Sequence, residues 1–200
     1  MATTLRVKSQ WFKPERPKSP AEIAGAMAFI TWRLALHMLK RMREAGFDID
    51  AGPPYFAFVR EVLVFLLAGT DRLACARLAP EARAGFLSAL VLRSAEILRD
   101  NEADLLGSAD DGSAFIELFN ELAGHYAEFG WSEPEGPDFG FARYLGSRLE
   151  AVLPAKDRRW VGDQVIAVEV PEAAATLRRA FDGLFSTAPR RARRTALSGD

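Results

Sequence analysis

Apolar residues recur at three- and four-residue intervals along most of this chain, and proline and glycine gather between the periodic segments. That is the pattern of amphipathic helices bounded by breakers. Ser19 caps the first helix, with Pro20 in the first turn and Glu22 at the positive end of the helix dipole; the segment runs to Ala45 and Gly46 closes it. Ile23, Met27, Ile30, Leu34 and Met38 form one stripe and Phe29, Trp32, Leu36 and Leu39 another, so its first half is expected to be buried. Arg33, His37, Lys40 and Glu44 form a polar face in its second half, with His37 a surface residue.

Pro53-Pro54 opens a second helix whose apolar positions, from Tyr55 and Phe56 to Leu66 and Leu67, cover most of the circumference, as in the central helix of a bundle. Gly69-Thr70-Asp71 either ends it or is passed over in one longer helix. A third helix is expected from Pro80 to Leu106 with Gly107 as its stop, and a fourth carries the stripe Phe115, Leu118, Phe119, Leu122, Tyr126 and Phe129, ending at Gly130. Trp131 to Pro137 reads as a loop, Asp138 as the cap of a fifth helix, and Pro154 as its end. Residues 155–163 suit a further turn or two around Trp160, and Pro171 opens the last helix. The β-branched run Val165 to Val170 has no partner strand of its length, so an extended or helical segment is expected in place of a sheet.

The fold class that follows is all-α: a single-domain helical bundle of six or seven helices around a central apolar helix. We divide the chain into an extended arm at 1–18, an all-helical domain at 19–186 and a disordered basic tail at 187–200. Net charge changes the picture at the ends. The formal net charge is −1, yet residues 1–18 carry +4 and residues 187–200 carry +3, which leaves the body near −8. Arg190, Arg191, Arg193 and Arg194 are too few to specify nucleic acid, and the acidic body opposes it, so nucleic-acid contact through the basic termini is a lesser alternative.

One cysteine excludes a disulfide framework and a multi-cysteine metal site; Cys75 between Ala74 and Ala76 reads as a small core residue. The longest apolar-rich segment, Pro53 to Ala68, contains Arg60 and Glu61 and falls short of the roughly 20 residues of a membrane span. With an opening segment that lacks a signal-peptide apolar stretch, a cytoplasmic location is the expectation.

Residues able to carry chemistry are few. Glu117, Glu121, His125 and Glu128 share the face of the fourth helix opposite its apolar stripe, a weak metal set or simply a solvated acidic face. Arg60 and Glu61 interrupt the most apolar helix, and a buried charge needs a partner, so they lie on a narrow exposed edge or line a ligand pocket with Tyr55 and Trp32. Glu61 is a natural partner for an arginine of another helix. Trp11 and Phe12, and Arg158, Arg159 and Trp160, mix aromatic and basic side chains suited to contact a partner or a second copy. No nucleophile elbow, phosphate loop, calcium loop or zinc signature is present, and no cofactor is implied. The leading reading is a protein-interaction or ligand-binding module, as a homodimer with a possible protein partner and no membrane; a small-molecule or metal-dependent helical enzyme is the alternative.

Overall fold

The computed structural model describes residues 19–185, so the expectations for the 1–18 arm, including Trp11 and Phe12, and for the 187–200 tail lie outside the described residues. Ser19 starts the first helix as its sequence predicts. Its hydroxyl accepts the Glu22 N–H at 3.2 Å while the Glu22 carboxylate accepts the Ser19 N–H at 2.7 Å. Such a reciprocal cap contributes about 1 kcal/mol. Helix α1 covers Pro20–Glu44, α2 Pro53–Cys75, α3 Pro80–Leu106, α4 Ser113–Ala127 and α5 Phe139–Val152. The described residues close with α6 (Arg158–Gln164), a π-turn (Val165–Glu169) and α7 (Val170–Phe185), which follow one another without a break. Six helical rods result among the described residues, packed in one all-α domain.

Helix α2 is the centre of the bundle. It touches α1, α3, α4, α5 and α7, and Phe58, Val59, Val62, Leu63, Val64, Leu66 and Leu67 are fully inaccessible. Each such side chain contributes about 1.5–3 kcal/mol through burial, which explains why the segment is apolar nearly all round. It passes straight over Gly69-Thr70-Asp71. The glycine is there for close packing: a Cβ at residue 69 would stand 3.1 Å from the Trp131 ring and 3.3 Å from Leu177 Cδ2. Arg72, one turn on, donates from Nη2 to the carbonyls of Tyr126 (3.0 Å), Ala127 (2.9 Å) and Phe129 (3.0 Å), so α2 caps the carboxyl end of α4.

Four expectations are corrected. Trp131 to Pro137 is a minimal hairpin, β1 (Trp131–Ser132) antiparallel to β2 (Gly136–Pro137), where a plain loop was expected. Pro171 stands in the first turn of α7 as expected, but that helix does not start afresh, because the rod is already helical from Arg158. Proline lacks the N–H of the α-helical ladder, and the five residues before Val170 form the π-turn, in which the Val170 N–H reaches back to the Val165 carbonyl, five residues away. The β-branched run is therefore helical throughout. Cys75 is exposed at the last residue of α2, although Leu73 and Ala74 just before it are buried. Phe29, expected in a buried half-helix, is 56% exposed with the Arg33 guanidinium 6.0 Å over its ring; α1 buries the faces carrying Met27, Ala28, Thr31 and Trp32 instead. Among the described residues no helix is long and apolar enough to cross a membrane.

Candidate functional site

The charges of α2 diverge. Adjacent residues on an α-helix point about 100° apart, and Arg60 and Glu61 accordingly reach different neighbours. Arg60 Nη2 lies 2.6 Å from Glu102 Oε1 on α3. Glu61 is 6% exposed and faces α5, accepting from Arg148 Nε (2.9 Å) and Nη2 (2.6 Å) in a bidentate pair. Trp32 is buried in the core, and half-buried Tyr55 sits beside the Arg43 guanidinium, which donates through Nε to the Ile49 carbonyl at 2.8 Å. Arg60, with its side chain 31% exposed, and buried Glu61 thus turn to different helices, α3 and α5.

One residue of the α4 face, His125, meets α5. His125 Nδ1 is 2.6 Å from the Tyr144 hydroxyl of α5, with the two rings nearly perpendicular. Beneath them lies Tyr126, 1% exposed, whose hydroxyl has no hydrogen-bond partner among the described residues. Burial pushes the Tyr126 phenol well above its ordinary value, and Glu61 and Tyr144 add to the effect. Burial also raises Tyr144, opposed by Arg148 and reinforced by Glu61 and Glu121. The hydrogen bond to Glu61 holds Arg148 firmly charged against its partial burial. Glu61 and His125 thus stand by two tyrosines and an arginine, with Glu121 near enough to act electrostatically on Tyr144 and Arg148, and Glu117, Glu121, His125 and Glu128 are all exposed. Among the described residues no three His, Cys, Asp or Glu side chains converge on one ion position.

A more open geometry lies around the π-turn. A cleft of about 440 Å³ is bounded by the turn after α1, Ala45 to Phe47, and by Asp157, Trp160, Asp163, Gln164 and Val168. Residues 157, 160, 163–164 and 167–168 follow each other at helical spacing, so the continuous rod presents them as one stripe. Trp160 is 61% exposed on it. A second cleft of about 110 Å³ lies between α1 and α7, with His37, Arg41, Glu169 and Glu172 among its walls. Glu169, 2% exposed, joins the two: it accepts from Gln164 Nε2 at 2.9 Å and pairs with Arg41 Nε at 3.4 Å, while Arg41 also pairs with Glu172.

Of the aromatic and basic set at 158–160, Trp160 lines the larger cleft, Arg158 donates through Nε to the Leu153 carbonyl at 3.1 Å, and Arg159 is exposed. Sequence reasoning missed Asp157, Asp163, Gln164, Arg41 and Glu169. Their spacing was visible, but a helix taken to restart at Pro171 divides the stripe, and no local pattern announces a π-turn. Comparison with known protein families, with characterised proteins and with solved structures finds no match to this chain.

Proposed function

We propose that this protein is a binding module whose partner or ligand occupies the cleft beside Trp160. The carrying observation is an indole that is 61% exposed at the wall of a 440 Å³ cleft, next to a π-turn. A large aromatic left in water forgoes up to a few kcal/mol of burial that contact with a partner recovers. The volume falls within the range of small-ligand sites, and π-turns are frequent at functional sites. Asp163, Gln164 and Val168 give the same wall both polar and apolar contacts.

Self-association as a homodimer belongs to the same proposal. Phe29 and Leu92, both more than half exposed on the closely packed α1 and α3, supply the apolar surface that supports it. The test is an amide chemical-shift titration of isotope-labelled protein with a panel of capped peptides and small organic ligands, with light scattering on the same sample. Shifts concentrated at residues 45–47 and 157–168 are expected. Shifts confined to other surfaces, or none across the panel, would reject the cleft as a binding site.

A further inference from the structure

The polar groups around the Trp160 cleft are of one kind. Asp157 and Asp163 supply carboxylates, and no lysine or arginine lines the cleft. Of the three neighbouring bases, Lys156 Nζ pairs with Asp48 at 2.8 Å, Arg158 Nε donates to the Leu153 carbonyl, and Arg159 is exposed beside Trp160 without lining the cleft. Asp157 gives one oxygen to the Asp48 N–H at 2.7 Å. Asp163 is exposed and makes no hydrogen bond or ion pair among the described residues. Gln164 turns its amide nitrogen inward to Glu169, which leaves its amide oxygen as an acceptor. The cleft therefore offers hydrogen-bond acceptors, negative charge and an open indole, and it asks for a cationic donor.

Resting on the binding reading, we propose that the cleft receives an arginine side chain from a basic segment of a partner protein, stacked on Trp160 and paired with Asp163. The chemistry distinguishes the occupant. A guanidinium is planar and weakly hydrated, so it stacks on an aromatic face while its N–H groups reach a carboxylate in the same plane; an ammonium is a compact, strongly hydrated point charge. An acidic segment is repelled by both aspartates. An apolar side chain satisfies Trp160 but leaves the carboxylates desolvated and unpaired, which costs free energy. The volume of about 440 Å³ exceeds one side chain, so flanking backbone enters as well, with an N–H for the Gln164 oxygen. The full chain carries a formal net charge of −1, so the attraction for a basic segment is local to the carboxylates of the cleft, Asp157 and Asp163.

The test uses three capped pentapeptides that differ only at the centre, carrying arginine, norleucine or glutamate, titrated into the full chain by calorimetry and amide shifts. The arginine peptide is expected to move the signals of residues 157–168 and to bind more weakly as salt rises. Trp160→Ala is expected to lower its affinity by about 2- to 30-fold, the span of a cation–π contact, and Asp163→Lys to abolish binding. Both side chains are exposed, and unchanged melting curves would verify that the variants keep the fold. Equal binding of the norleucine peptide at the same signals would overturn the arginine assignment and leave the binding module standing. Absence of any shift at the cleft with all three peptides would overturn both.

Discussion

Glu102 shows how one carboxylate records its surroundings. It is 3% exposed on α3, and burial raises its pKa above the ordinary carboxylate value, with Arg60 opposing the rise and Asp110 adding to it. A carboxyl that holds its proton more tightly when folded favours the folded state in acid. Its contribution is present below the unfolded-state pKa and declines as pH rises through the higher folded value. The stability of the native protein relative to Glu102→Gln is therefore expected to fall as pH rises above the ordinary glutamate range in paired denaturant titrations. A difference that stays level or rises would mean that Arg60 outweighs burial. At this scale the sequence told that Arg60 and Glu61 needed partners, because an apolar helix offers them none. Which partners they found, Glu102 and Arg148, depended on the rotation of α2 against α3 and α5.

Between elements, the same residue type has opposite roles according to what stands beside it. Gly85 in α3 and Gly124 in α4 have open space where a Cβ would be, whereas Gly69 in α2 is bracketed by Trp131 and Leu177. Gly124→Ala is expected to stabilise the protein by about 0.5–1 kcal/mol through helix propensity. Gly69→Ala gains the same propensity but pushes a methyl against two packed side chains, an overpacking cost of typically 1–3 kcal/mol, so a net loss is expected. Thermal melting of the two variants in parallel checks the contrast, and a stabilised Gly69→Ala would show that Trp131 yields without cost. Helix starts at Ser19 and Asp138 were legible because capping is local: a side chain meets an N–H three residues on. The π-turn was not legible, because the one-residue excess over an α-helix makes sense only when Val161 and Val165 on one side and Leu177 and Phe181 on the other must all reach the core.

Across the whole molecule, α2 couples the rods. Removing any of them exposes apolar surface on the same central helix, so the bundle is expected to unfold in one cooperative step. Far-ultraviolet circular dichroism and tryptophan fluorescence should then give coincident denaturation curves, with separate midpoints arguing that the α5–α7 half comes apart alone. The binding surface is also a property of the whole. Its stripe from α6 and the π-turn acquires a cleft only because the turn after α1, at Phe47, stands opposite it.

The sequence by itself determined the all-α class, the central place of the helix that opens at Pro53, the caps and most of the buried stripes, since each follows from contacts between residues within a few positions of one another. The tertiary structure alone decided that Glu61 meets Arg148, that His125 meets Tyr144, and that Trp160 fronts a cleft walled by acceptors. The physical reason is range. Periodicity states which face of a helix turns inward, but the angle at which two faces meet is fixed by side-chain packing among residues tens of positions apart, and clefts and ion pairs form where those faces meet.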